Sequence, residues 1–183
     1  TTGPIAPTAT SAPAAKPTAT ATATLAPGQT ELIVIAHDSF AASEAVITEF
    51  EKANNAKVRV FKAGDAGKAL NQAILTKNNP LGDVFFGVDN TFLGRALKED
   101  IFAAHRAQGI DKIPAAFKLD PSNRVTPIDY GDVCLNYDKT WFAQKKIAPP
   151  AKLEDLTKAD YKNLLVVENP ATSSPGLAFL LAT

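Results

Sequence analysis

The chain has 183 residues, 19 Lys+Arg against 19 Asp+Glu, and a formal net charge of zero. That balance excludes the electrostatic footprint of a nucleic-acid or anionic-membrane binder, which needs a basic excess. A single cysteine, Cys134, excludes an internal disulfide, and an apolar run of the ~18 residues that span a bilayer is absent.

Residues 1–30 are nearly all Thr, Ala and Pro. Such a stretch buries too little apolar surface to offset its ordering entropy, so a disordered tether is expected there. Its prolines bias it toward extended, semi-stiff forms, which suits a stalk that lifts a domain off a surface. A lipid anchor upstream would explain the stalk. No basic-then-apolar signal segment is present, so a leader is expected to have been removed.

The folded part is expected to begin at Glu31. Leu32-Ile33-Val34-Ile35-Ala36 is short, apolar and β-branched, the pattern of a strand buried on both faces. Ser39 then stands as a helix cap, with Ala42, Ala45, Val46, Ile47 and Phe50 at helical spacing up to Asn54. Val58-Arg59-Val60-Phe61 is a second strand, and Lys68 to Lys77 a second helix ended by Asn79-Pro80-Leu81-Gly82. Asp83-Val84-Phe85-Phe86-Gly87 is a third strand, and Thr91 to Lys98 a third helix. The alternation predicts an α/β fold, a parallel sheet with helices on both faces.

The second half is less regular. Strands are expected at Val125–Ile128, Val133–Tyr137 and Leu164–Glu168, and a short helix-like stretch holds Leu153 and Leu156. Cys134 lies in the apolar run Val133-Cys134-Leu135 and is expected to be buried. Ser173-Ser174-Pro175-Gly176 opens an apolar helix that runs to Thr183. The chain stops inside that helix, which reads as truncation.

In open α/β sheets, ligands bind beyond the carboxyl ends of the strands. Polar residues recur at those places: His37-Asp38-Ser39, then Asp89-Asn90, then Asp129-Tyr130, then the run Thr172-Ser173-Ser174-Pro175-Gly176. Asp38, Asp89 and Asp129 together would attract a cation on which Tyr130 can stack. Each alone reads equally as a cap or turn former. At Thr172–Gly176, free N–H groups at a helix start favour an anion such as a phosphate, while ordinary N-capping is the plainer alternative. His37 and His105 lack further ligands at metal-site spacing, so no metal is expected. A nucleophile elbow and a Gly-rich phosphate loop are both absent.

Taken together, the runs H-D-S-F, G-D-V-F-F-G-V-D-N-T-F-L, T-P-I-D-Y-G-D-V-C-L-N-Y-D-K and V-V-E-N-P-A-T-S-S-P-G-L-A-F-L-L resemble the periplasmic thiamine-binding proteins, substrate-binding subunits of ABC importers. The resemblance covers Glu31 to Thr183, the first half of a family member. It implies a type II periplasmic-binding-protein fold. Lobe one would run over 31–128, with the hinge and an incomplete lobe two over 129–183. It places Asp38, Ser39, Asp89 and Asn90 on the lobe-one wall and Asp129 and Tyr130 at the hinge. Thr172, Ser173, Ser174 and Gly176 would face the phosphate of a thiamine phosphate. It implies a monomeric, extracytoplasmic, non-enzymatic carrier with no cofactor, whose partners are a small ligand and a permease. Relatives for iron(III), polyamines or phosphonates share the looser motifs, and an α/β enzyme of thiamine metabolism is the alternative from another class.

Overall fold

The computed structural model of the chain describes residue 25 and residues 27–183, so the expected tether lies largely outside the described residues. Three parallel strands form its sheet: β1 (Thr30–Ala36), β2 (Ala56–Lys62) and β3 (Val84–Phe86), in the order β2-β1-β3. Thr30 pairs with Ala56 and Ala36 with Lys62 on one side of β1; Val34 pairs with Val84 and Ala36 with Phe86 on the other. The β3 ladder is extended by Asp83, whose N–H donates to the Ile33 carbonyl (2.8 Å) and whose carboxylate accepts from the Ile33 N–H (2.8 Å).

Helix α1 (Glu44–Asn54) joins β1 to β2, and α2 (Ala66–Leu75) joins β2 to β3 on the far side of β1. Crossovers between parallel strands are right-handed as a rule, and the reversal of direction then puts α1 and α2 on opposite faces. It also makes the carboxyl ends of β1 and β3 the point where the strand order reverses. The core lies on the α2 face. Ile35 packs with Ala63 and Ala69, beside Phe61 and Phe85. Leu70, 1% exposed, packs with Phe92 and Ala96, and α3 (Leu93–Lys98) supplies the last of these.

Helix starts differ from expectation in physically clear ways. Ser43, not Ser39, caps α1, its Oγ accepting from the Val46 N–H. Ser39 is held in the preceding turn, where its N–H donates to His37 Nδ1 (3.2 Å). Helix α2 begins earlier, because the Asp65 carboxylate caps Ala66. The apolar side of α1 is less covered than its spacing implies: Val46 and Phe50 are exposed.

Beyond α3 the structure changes character. Arg124 donates to the Leu97 carbonyl (3.2 Å) and to Asp100 (2.9 Å), and the His105 N–H donates to the Asn123 carbonyl (2.7 Å). These bonds fasten the loop at 120–125 to the end of α3. Asp120 organises that loop by accepting from the N–H groups of Ser122, Arg124 and Val125 and from Ser122 Oγ. Burial pushes its carboxyl up, but those bonds outweigh it and hold the group down to about 2. Further on, Asp138 caps α4 (Lys139–Lys145), and a 3₁₀ turn spans Leu153–Thr157. Asp155 pins that turn through Lys158 (2.6 Å) and the Ala151 N–H (3.0 Å). The Lys158 ammonium, more than the backbone bonds, holds the Asp155 carboxyl below its usual value.

The strands expected at Val125–Ile128, Val133–Tyr137 and Leu164–Glu168 are not formed. Those segments join no ladder among the described residues, and an apolar, β-branched run becomes a strand only when a neighbour satisfies its backbone. Cys134 is accordingly exposed rather than buried. The last helix, α5 (Ser174–Ala182), returns to the packed part of the molecule, with Leu177 against the cluster of Leu70, Phe92 and Ala96. Among the described residues, no helix is long and apolar enough to cross a membrane.

Candidate functional site

The ends of β1 and β3 present Asp38 and Asp89 at the point where the strand order reverses, the position at which open α/β sheets bind ligands. Both carboxylates also shape the backbone. Asp38 Oδ1 accepts from the Gly64 N–H (3.0 Å), its own N–H donates to the Gly64 carbonyl (2.9 Å), and its carbonyl accepts from Lys62 Nζ (2.8 Å). Asp89 Oδ1 accepts from the N–H and hydroxyl of Thr91 (3.0 and 2.7 Å) and from the Phe92 N–H (3.2 Å), building the turn into α3. The carboxylates are therefore preorganised, and Asp38, Ser39 and Asn90 are exposed.

The start of α5 is drawn to the same place. The Gly67 N–H, in the first turn of α2, donates to the Thr172 carbonyl (2.9 Å). Gly67 is required for that approach: a Cβ there would lie 2.8 Å from the Phe92 ring and 3.0 Å from the Thr172 backbone. Asp89 orders the turn that carries Phe92, and Asp38 braces Gly64 three residues before Gly67. One contiguous set of contacts thus links Asp38, Asp89 and Thr172. Sequence reasoning missed Gly64 and Gly67 because their spacing fits no phosphate-loop pattern; the signal was two glycines flanking a helix cap.

The hydroxyls at α5 are used unequally. Ser173 is 2% exposed; its Oγ accepts from the Gly176 N–H (3.3 Å) and donates to Glu168 Oε2. It caps the helix, as the plainer of the two readings has it. Ser174 Oγ is buried without a hydrogen-bond partner in the described structure. Gly176 is buried beneath its own chain, since a Cβ there would fall 2.4 Å from the Glu168 carbonyl oxygen. Asp129 and Tyr130 stand apart from this set. Tyr130 is 79% exposed and stacks on Phe117 at 4.9 Å, an aromatic partner that the sequence did not single out.

Among the described residues, no group of three or more His, Cys, Asp or Glu is arranged to hold a metal ion. What the arrangement offers is a set of preset carboxylates at strand ends and a capped helix start held nearby through Gly67. A family model described as bacterial extracellular solute-binding protein matches residues 79–183. The chain belongs to that family. It is similar to the thiamine-binding periplasmic protein of Salmonella typhimurium, 34% identical over 155 residues, which cover 82% of this chain and 45% of that one. The proteins of that name from Escherichia coli and Haemophilus influenzae are 32% and 30% identical, over 82% and 87% of this chain and 45% and 48% of theirs. The chain therefore spans about half the length of the curated relatives it matches. The periplasmic binding protein AfuA of Actinobacillus pleuropneumoniae, solved with exogenous fructose-6-phosphate bound, shares the fold. Its TM-score is 0.59 at 21% identity, over 80% of this chain and 46% of that one.

Proposed function

We propose that the chain is the ligand-capturing part of an extracytoplasmic solute-binding protein that delivers thiamine or a thiamine phosphate to an ABC importer. The observation that carries this reading is the likeness to the thiamine-binding periplasmic proteins across most of the chain. The site is consistent with it chemically. Asp38 and Asp89 supply negative charge where a cationic thiazolium ring would sit. Ser39, Asn90 and Thr172 complete a polar rim. No residue is assigned a catalytic role, and no cofactor or metal is invoked. The carrier works as a monomer handing its ligand to a permease.

Calorimetric titration with thiamine, thiamine monophosphate, thiamine diphosphate, iron(III) citrate and spermidine tests this. Binding confined to the thiamine series is expected. Asp89→Asn keeps an acceptor for Thr91 and Phe92 and removes only the charge, so it should weaken thiamine about tenfold, or ~1.4 kcal/mol. Binding of iron or spermidine alone would keep the class and discard the ligand.

A further inference from the structure

We propose that His37 is a positioning residue of the ligand site: its neutral imidazole holds the turn that presents Ser39, and capture of the ligand weakens when that ring takes up a proton. The inference rests on the reading of Asp38, Ser39 and Asp89 as ligand-facing groups, and it goes beyond that reading in giving the site a pH dependence.

His37 is the first residue beyond β1, and the Ser39 N–H donates to its Nδ1 at 3.2 Å. An imidazole nitrogen accepts only through a free lone pair, so this bond fixes the neutral ring with its proton on Nε2. Protonation turns Nδ1 into a donor facing another donor, and the bond is lost. The ring has little freedom to relieve that conflict. Half-buried His37 packs on Phe86 at 5.5 Å between centroids, and Phe86 meets Phe40 edge-on at 5.1 Å. Gly87 lets the ring edge close on the end of β3, since a Cβ there would lie 2.7 Å from His37 Cδ2. Turning the ring over would set a C–H against the Ser39 N–H, which forfeits the same bond.

The residue released is Ser39 rather than Asp38. Asp38 is tied to Gly64 through its N–H (2.9 Å) and its carboxylate (3.0 Å), and Lys62 Nζ holds its carbonyl (2.8 Å). Ser39 is exposed, and its hydroxyl has no partner among the described residues. The chain stays exposed from Ala41 to the α1 cap at Ser43, so nothing further along holds the turn. A proton on His37 therefore frees one polar contact of the site. It also adds a positive charge next to Asp38, which opposes a cationic ligand.

The charged groups on the elements that meet here are Asp38 itself, Glu44 at the start of α1, Lys62 at the end of β2, Asp65 and Lys68 around Gly64, and Asp89 beyond β3. Side chains of those types ordinarily change charge outside about pH 5 to 8, so a step inside that window isolates an imidazole. The other histidine, His105, belongs to the loop fastened at Asn123.

The test is thiamine affinity, measured by calorimetry on the full chain at about pH 7.5 and about pH 5.5, on either side of an ordinary imidazole. Wild type should weaken at least about fivefold on acidification, the size of one hydrogen bond. His37→Asn keeps an acceptor for the N–H two residues on and cannot titrate. It should match wild type at the higher pH and lose the step, and any titration of thiamine itself cancels in the comparison. His37→Phe keeps the packing on Phe86 without an acceptor and should bind weakly at both. An unchanged wild-type affinity, a step that persists in His37→Asn, or full binding by His37→Phe overturns the proposal. The amide resonance of Ser39 in the ligand-free protein separates this inference from the thiamine reading. If thiamine binds at neither pH, the thiamine reading fails. A Ser39 shift that titrates in wild type and not in His37→Asn then still supports the role of His37, and a Ser39 amide indifferent to pH rejects it.

Discussion

Residues 30–102 and residues 104–170 are built on different physical principles. In the first region the backbone groups of β1 satisfy one another across two ladders, and the apolar side chains converge on Leu70, Phe92 and Ala96. In the second, order comes from short polar turns, each organised by one carboxylate: Asp120, Asp138 and Asp155. Apolar side chains there stay in the open, with Val166 92% exposed. Helix α5 follows the second region in sequence, yet it packs on the first. The lesson is that two tertiary contacts, half-buried Leu177 on the α2–α3 cluster and the Gly67–Thr172 hydrogen bond, tie α5 to the first region across a long stretch of local polar order. They bring Thr172 back beside the turn that Asp89 builds.

The largest effects should therefore fall where the first region is packed. Leu70→Ala opens a cavity beneath α3 and α5 and should cost about 3 kcal/mol, measured by urea unfolding. A loss below about 1 kcal/mol would mean that the α2–α3 cluster is not the organising core. Gly67→Val is next. Its side chain collides with Phe92 and the Thr172 backbone, so α5 must separate from α2, at a cost of ~2 kcal/mol by analogy with overpacked cores. Faster proteolysis after residue 170, with residues 30–102 still protected, would locate the damage at that contact.

How much of this was legible in the sequence follows the same division. All three strands of the sheet and the helices between them stood out, because a buried parallel strand is a continuous apolar run and its crossover helix carries a 3.6-residue period. The runs at Val133–Tyr137 and Leu164–Glu168 carry the same composition, yet they form no ladder. Composition records what a strand can pack against, not whether a neighbour is present. Cys134 was misplaced for that reason. Of the site, Asp38 and Asp89 were legible as strand-end carboxylates, and the N-cap at Ser173 as a hydroxyl before Pro and Gly. The bond between Gly67 and Thr172 was not, because 105 positions separate the two residues and neither belongs to a motif. Phe117 beneath Tyr130 was hidden in the same way.

The smallest predicted effects test whether the polar turns carry the second region. Asp120 has a folded-state pKa of about 2 against an ordinary value of 3.8. A depressed carboxyl contributes stability that is fully present above the unfolded value and is lost as pH falls through the folded one. The window thus runs from just above pH 4 down to about pH 2, and the contribution, discounted for solvent screening, is about 1–2 kcal/mol. Asp120→Asn should remove that part of the acid dependence while leaving the curve above pH 5 parallel to wild type. Val166→Thr should change stability by less than ~0.5 kcal/mol, as expected for an exposed side chain with no partner to lose. The two variants bear on one question. If Val166→Thr proved the more costly, the apolar run at 164–168 would be buried in solution, and carboxylate-anchored turns would not be what orders that half of the molecule.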